Sequence, residues 1–484
     1  MASADNPATL SGLAPTAAAA GARGRVATLI RRPVVLFVVL STLFGVPAVF
    51  LNPPLRGADE PAHFLRIYGI SGGQVIPSLT DEKGRRGIFL PAGLNADYQF
   101  FEALRYRFRS GDFRYRQVFA EYARRTHESN AAAPTFVLYA GSEAYSPLAY
   151  LPYVPAAVIA RFLGLDFVPM LWLMRLAGLA AMTAVVAYAI ALVPYLKWTF
   201  LCIAMLPIAL YERVVVSPDG AALGFAMVVT ALCLRAAEPG EGGAARRALW
   251  MTLCVVVKPS QVPFILMETM TRPVGDLVRH WRTAVAITAP GVMLTLLWLF
   301  ANSADMGAWR MMEGTGAPPE QFNIGWKLGF LVHHPGHFLS AAAVTLAGAY
   351  DLWRETIGAL GWRDIHLALP TYLALTALLA ASAMVRLELD AQTRRRVATV
   401  AGLTVLSYGV TIFLIFYLAW TPIDATFVHG VQGRYFTVVL PAAAVAIAAL
   451  LTRAPPRWIA AMLATVGAIV SSVAMLDAIV RSQW

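Results

Sequence analysis

The sequence predicts an all-α polytopic membrane protein with about eleven transmembrane helices, within a range of roughly ten to thirteen. Three observations carry that fold class. The 484 residues are 58% hydrophobic with a mean hydropathy of +0.60. Only 14% are charged, against roughly 25% in an ordinary soluble domain, so the chain cannot cover a water-exposed surface. Apolar runs such as 34–50, 167–193 and 397–420 match the ~20 residues that a bilayer-crossing helix needs. A soluble enzyme, a secreted disulfide scaffold and a disordered chain are excluded. The three cysteines, Cys202, Cys233 and Cys254, all fall inside apolar runs, which points to packing rather than to disulfide or thiolate metal chemistry.

Taken in order, residues 1–32 form a basic, Ala- and Gly-rich stretch read as a disordered cytoplasmic N-terminus, without the pattern of a signal peptide. Spans are drawn near 33–51, 167–193, 198–215, 219–235, 248–257, 260–270, 283–301, 369–385, 398–420, 435–452 and 457–477. This arrangement puts the basic clusters around Arg25, Arg31, Arg246, Arg279, Arg394–Arg396 and Arg453 on one side, which the positive-inside rule makes cytoplasmic. Most of the net charge of +11 is therefore an orientation signal, not a nucleic-acid footprint. Two segments depart from simple crossing. Residues 146–164 carry Pro147, Pro152 and Pro155 and read as a helix lying at the outer surface. The short pair 248–257 and 260–270 reads as a half-depth hairpin with Lys258-Pro259 at its apex. The chain then divides into a seven-span module, 33–301, holding a first outer loop at 52–145; a second outer loop, 302–368; and C-terminal helices, 369–484. Loops of such length are more often functional than incidental.

Ionisable residues near bilayer depth are functional candidates by default. Asp59 and Glu60 lie within about ten residues of the outer end of the first span, in Arg56-Gly57-Ala58-Asp59-Glu60-Pro61-Ala62-His63. Such a carboxylate can act as a general base, and on a helix His63 shares its face. The competing reading is a helix start, with Asp59 as cap and Glu60 complementing the dipole. Asp219, in Ser217-Pro218-Asp219-Gly220, is a second carboxylate at the outer face or, again, a cap. Glu212 and Arg213, about two turns earlier, read as a mutually neutralised pair. Lys258 at the hairpin apex needs an anionic partner or must snorkel. Arg434, beside Gly433 and Tyr435, can take a phosphate bidentately or anchor the interface with Tyr435.

Two further patterns are weaker. Residues 104–109 and 113–116 alternate basic and aromatic side chains about Ser110-Gly111-Asp112, which reads as a small β-hairpin with Arg105, Arg107 and Arg109 on one face. His333, His334 and His337 invite a metal reading, but Pro335 and Gly336 break their helical spacing and no carboxylate or cysteine lies close by.

The order Asp-Glu-Pro-Ala-His-Phe after the first span, Tyr145-Ser-Pro-Leu-Ala-Tyr-Leu-Pro, Val216-Ser-Pro-Asp219, Val257-Lys-Pro259, Leu360-Gly-Trp362 and Val431-Gln-Gly-Arg-Tyr-Phe436 resembles a bacterial membrane-protein family, domain-of-unknown-function family 2142, over roughly residues 33–450. That family in turn resembles the GT-C class of glycosyltransferases. The resemblance implies a GT-C-like fold with two long outer loops, a polyprenyl-phosphate-linked sugar as donor, a glycan or lipid acceptor, and work on the outer side of the bacterial cytoplasmic membrane. It implies that an acidic residue early in the first loop, here Asp59 or Glu60, is the base or sits beside a divalent metal ion, with Asp59, Glu60 and His63 as metal candidates. Lys258, Arg434 and Tyr435 would face the donor, while Asp219 and His63 shape the site. No nucleic-acid partner is implied. Two other classes fit the composition: a transporter or flippase for lipid-linked saccharides, and a non-catalytic assembly partner. The absence of an internal repeat speaks against the transporter.

Overall fold

The structure is a computed structural model that describes residues 32–109, 114–125, 133–238, 243–302, 316 and 319–484. The basic N-terminal stretch, the turn at 110–113 and the start of the second loop at 303–315 lie outside the described residues. Helix α1 is Pro33–Leu51, and a short helix α2 spans Glu60–Ser71. Strand β1 (Gly87–Leu90), helices α3 (Ala92–Arg109) and α4 (Tyr115–Arg124) and strand β2 (Thr135–Leu138) follow. Next come α5 (Val154–Phe162), α6 (Phe167–Leu192), α7 (Lys197–Ala204), α8 (Pro207–Val214), α9 (Pro218–Ala236) and α10 (Ala244–Val257). A 3₁₀ run over Pro259–Thr271 leads to α11 (Val274–Arg279), α12 (Trp281–Ala301), α13 (Ile324–His333), α14 (Pro335–Ala347) and α15 (Ala349–Ile357). Helices α16 (Leu369–Ser382) and α17 (Ala391–Trp420), a 3₁₀ turn at Gly433–Val439, α18 (Leu440–Leu450) and α19 (Arg457–Gln483) complete the chain.

Among the described residues, seven helical segments are long and apolar enough to cross a membrane: α1, α6, α9, α12, α17, the joined Gly433–Leu450 segment and α19. The other expected crossings are shorter or broken. The stretch near 198–215 is two eight-residue helices, because Pro207 cannot continue α7. The carbonyls freed by that break are taken internally, as an apolar surrounding demands: Ala204 O by Arg213 Nη1 at 2.7 Å and Met205 O by Ser471 Oγ. Helix α16 has 14 residues. Helix α5, with nine residues, is about 14 Å long and too short to span.

The two ends of the bundle can be told apart by contacts. At one end Arg457 bonds Glu388, Arg394 bonds Leu451 O and Arg396 bonds Met270 O, which gathers the basic clusters onto one side. At the other, Trp484 Nε1 donates to Leu51 O at 3.0 Å, so α1 and α19 run parallel and finish level.

The hairpin at 248–270 forms, with Lys258 at its apex. Its base is closed by Arg247 on Glu268 at 2.7 and 2.9 Å. Fourteen residues of α10 give an arm of about 21 Å, so Lys258 at the apex reaches the level of Asp219. The expected β-hairpin at 104–116 does not form, since 104–109 end α3 and Tyr115–Arg124 is α4. A five-residue alternation is too short to exclude helix when the aromatics can pack: Tyr115 and Val118 are buried and Tyr115 meets the Trp484 ring edge-on at 4.8 Å. The first loop does contain a two-stranded antiparallel sheet, β1 with β2, in the register Gly87 to Leu138 and Leu90 to Thr135.

Candidate functional site

Asp59 and Glu60 are neighbours in sequence and point to different places. Glu60 is fully buried against Arg175, which projects from the middle of α6. Arg175 Nε and Nη2 reach Glu60 Oε1 and Oε2 at 2.8 and 2.7 Å, and the amides of Val216 and Gly57 donate to the same two oxygens at 3.0 and 3.1 Å. Arg175 also holds the carbonyls of Val49, Asn52 and Pro53. Glu60 thus has four donors on two oxygens, and it fastens the first loop to the 216–219 loop. No oxygen is left to receive a substrate proton.

Asp59 sits at φ 57°, ψ 8°, in the left-handed region, and its side chain makes no cap bond to α2. A non-glycine residue held there stores of order 1–3 kcal/mol, a device that clusters at functional sites. The strained backbone turns the carboxylate toward Arg434: Nη2 lies 2.6 Å from Asp59 Oδ2. Asp59 is 42% exposed and Arg434 only 7%, so the carboxylate rims the cluster while the guanidinium lies within it. Burial would raise the Asp59 carboxyl, but the Arg434 charge outweighs it and holds the group below its ordinary value.

Arg434 also faces Glu212 Oε1 at 3.6 Å and Asp219 Oδ2 at 3.7 Å. Asp219 does not cap α9; Ser217 Oγ does, accepting the Asp219 amide at 3.0 Å, which frees the carboxylate to pair with Lys258. The Lys258 ammonium lies 4.5 Å above the Tyr435 ring. Tyr435 stacks on Phe416 at 5.2 Å, and its carbonyl accepts Tyr408 OH at 2.9 Å. The structure therefore brings Asp59, Asp219, Lys258, Arg434 and Tyr435 together from four separate segments and leaves Glu60 behind them.

His63 lies next to this group. It is 4% exposed, exchanges a 2.9 Å hydrogen bond with Tyr150 OH and meets Tyr145 edge-on at 5.5 Å. Burial pushes its pKa down to about 4, outweighing the pull of Asp59 and Asp219. Tyr145, beside it, is pushed well above the ordinary phenol value by burial and by Asp219.

One pair expected from the sequence does not form, and several further residues were not singled out in the sequence. Glu212 and Arg213 are not a mutual pair. Consecutive helical positions diverge, so Glu212 turns to Arg434 while Arg213 turns to Ser41 and the Ala204 carbonyl. Glu355 on α15 accepts the Gly433 amide at 2.6 Å, and Thr356 donates to the Gly433 carbonyl at 2.9 Å, which fixes the residue before Arg434. A Cβ on Gly433 would lie 2.0 Å from Leu352 O, so only glycine fits there. Arg56 binds Asp364 at 2.7 Å and joins the 360–365 turn to the first loop. Arg175 alone carried a usable signal, as a charge inside a 26-residue apolar helix.

No group of three or more His, Cys, Asp or Glu side chains is placed to hold a metal ion among the described residues. The expected set of Asp59, Glu60 and His63 does not fit one, because Glu60 is saturated by Arg175 and two amides and His63 Nδ1 is engaged by Tyr150. The histidines at 333–337 are exposed, and His334 stacks on Phe330 at 4.5 Å.

The family model described as "Predicted membrane protein (DUF2142)" matches residues 42–443. The chain belongs to the DUF2142 family. No curated protein and no solved structure matches it. Every residue of the polar cluster of this DUF2142 chain falls within the matched range, whereas α19 and most of the segment before it, 444–484, lie beyond it.

Proposed function

We propose that the protein is a GT-C-like membrane glycosyltransferase with about eleven crossings, its N-terminus cytoplasmic and its site on the outer side of the bacterial cytoplasmic membrane. It would move a sugar from a polyprenyl-phosphate donor to a hydroxyl of an envelope glycan or lipid. The observation that carries this reading is a strained, half-exposed carboxylate, Asp59, paired with the buried Arg434, in one cluster with a second buried cation, Lys258, that Asp219 holds. A sugar transfer of this kind needs one base for the acceptor and positive charge for the leaving phosphate.

The Asp59 carboxylate takes the proton of the acceptor hydroxyl. The acceptor oxygen forms a bond to the anomeric carbon, and the bond from that carbon to the phosphate oxygen breaks, its electron pair leaving with the lipid phosphate. Arg434 and Lys258 offset the charge on that leaving group. Their present partners are carboxylates, so the donor phosphate must displace one, and Asp59 is the most exposed of the three. Once free of Arg434, Asp59 loses the neighbour that holds its pKa down and becomes a better base. Tyr435 and His63 wall the site. A single displacement inverts the anomeric centre.

The test is transfer from a short-chain polyprenyl-phosphate sugar by purified protein, with the anomeric configuration of the product read by NMR. Asp59→Asn should fold and lose transfer by about 10²–10⁴-fold, the usual worth of a general base. Full activity in that variant, or retention of configuration, would overturn the assignment.

A further inference from the structure

We infer that helix α4 is a docking surface for anionic phospholipid, its arginine face holding headgroup phosphates at the end of the bundle marked by Leu51 and Trp484. The helix lies across that end on aromatic contacts. Tyr115 meets the Trp484 ring edge-on at 4.8 Å, Phe119 stacks on Trp172 of α6 at 6.2 Å, and Trp172 in turn meets Phe50 of α1 at 5.2 Å. Three helices long and apolar enough to cross a membrane, α1, α6 and α19, therefore have an end beneath α4. Trp172 and Trp484 sit at the height where tryptophan marks the bilayer interface. Tyr115 and Val118 are buried below, and Arg116, Gln117, Glu121 and Arg124 are exposed above. Such a division of faces is that of a helix lying in the headgroup plane.

The charge of the upper face selects the partner. With its flanking residues α4 carries Arg114, Arg116, Arg124 and Arg125 against one acid, Glu121. Among the described residues none of the four arginines forms an ion pair. Arg114 donates to the Arg481 carbonyl at 3.0 Å and Arg124 to the Ala120 carbonyl at 2.9 Å. Arg116 and Arg125 lie over the Trp484 and Phe100 rings at 5.9 and 4.5 Å. Carbonyls and rings orient a guanidinium without neutralising it. Arg116, Ala120 and Arg124 form one row, and Gln117, Glu121 and Arg125 the next, of an open groove along the helix. These arginines stand at the end opposite the basic clusters of Arg394, Arg396 and Arg457, so the orientation of the chain does not account for them. Unneutralised guanidinium at headgroup height fits a phosphate diester, which it can hold through two N–H groups.

The inference is independent of the reaction proposed above, and its test needs neither donor nor acceptor. Full-length protein with the photo-cross-linking residue benzoylphenylalanine in place of Ala120 is reconstituted in nanodiscs of phosphatidylcholine with a minor share of phosphatidylglycerol. After irradiation, the lipid adducts are identified by mass spectrometry. Phosphatidylglycerol adducts should exceed that lipid's share of the bilayer by at least about tenfold. Arg124→Gln in this background should cut the excess about fivefold, and the triple variant Arg116→Gln, Arg124→Gln, Arg125→Gln should abolish it. Adducts of the two lipids in proportion to their amounts would overturn the inference, as would an excess that the triple variant retains. Proportional adducts that soluble heparin then suppresses would overturn it too, and would assign the face to a polyanionic glycan. Should the triple variant not fold, salt decides: about 1 M NaCl shortens the Debye length to about 3 Å and should collapse the excess, whereas an excess unchanged by salt would refute a headgroup site.

Discussion

Substituting Asp59 and Glu60 one at a time should give opposite phenotypes, although the two residues are adjacent and chemically alike. Glu60 and Arg175 are both 0% exposed. Glu60→Gln removes the charge that balances a guanidinium in the apolar interior, and breaking a buried pair from one side costs about 3–5 kcal/mol. It also weakens the acceptor that gathers the Gly57 and Val216 amides. Asp59→Asn removes one partner of a 42% exposed carboxylate, and exposed pairs contribute about 1 kcal/mol or less. Asparagine tolerates the left-handed backbone about as well as aspartate, so the strain at φ 57° is unchanged. The two variants should therefore differ by roughly 3 kcal/mol, which for a chain of 484 residues corresponds to a gap on the order of 3 °C in unfolding midpoint. The protein carries its own reporter, because Cys202, Cys233 and Cys254 are free and buried. A thiol-reactive dye that fluoresces on coupling follows their exposure during a thermal ramp in detergent. Asp59→Asn should melt within about 1 °C of wild type and Glu60→Gln about 3–5 °C below it. Coincident melting of the two variants would refute the division of labour between these carboxylates.

Two further outcomes follow from the same geometry. Gly433→Ala drives a methyl group into Leu352 O, 2.0 Å away, and Thr356 N, 2.8 Å away; it should cost about 2–4 kcal/mol and shift Arg434 enough to slow transfer about 10²-fold. Gly409→Ala on α17, whose new Cβ meets nothing within 4 Å, should leave both melting and transfer unchanged in the same assays. The His63 prediction concerns pH. The unfolded chain takes up a proton on this histidine below about 6.5, and the folded chain does so only near 4. Its stabilising contribution is complete above pH 6.5 and is lost as pH falls toward 4, on the order of 3 kcal/mol in all. Melting midpoints across that window should fall for wild type and fall less for His63→Gln.

The site was legible in the sequence wherever a charge stood alone in apolar surroundings. Asp219, Lys258 and Arg434 each lie at the end of an apolar run, and an ionisable group there must find a partner; they found one another. What the sequence did not reveal was which partner each would take. Glu60 meets Arg175 across 115 positions and Asp59 meets Arg434 across 375, and no periodicity encodes such pairings. Cap readings of Asp59 and Asp219 were reasonable from residue type, but the cap at α9 went to Ser217, whose shorter side chain accepts the amide two residues on. Pairing Glu212 with Arg213 from adjacency neglected the roughly 100° between successive helical side chains. The small sheet escaped notice for a similar reason. Gly-Ile-Phe-Leu at 87–90 shows no alternation, and its partner strand lies some 45 residues further along the chain.

The sign of the charge at the site is opposite to that of the chain. The protein carries +11 overall, much of it in clusters gathered at the end marked by Arg457, Arg394 and Arg396. At the cluster itself, three carboxylates face two cations. Under the proposed mechanism an anionic donor is therefore not drawn in by a basic cavity; it must compete for Arg434 and Lys258 against carboxylates already bound. Asp219 and Glu212 are buried and fixed by helices, whereas Asp59 is rim-exposed and held on a strained turn, so the cost of exchange is lowest at Asp59. Under the proposed mechanism this makes the ion pair an ordering device. An acceptor hydroxyl arriving first meets a carboxylate whose basicity Arg434 suppresses, and only after the phosphate has taken the guanidinium is the proton acceptor free. The same contact that keeps the empty site electrostatically closed thus ties activation of the acceptor to the presence of the donor, which limits unproductive reaction with water.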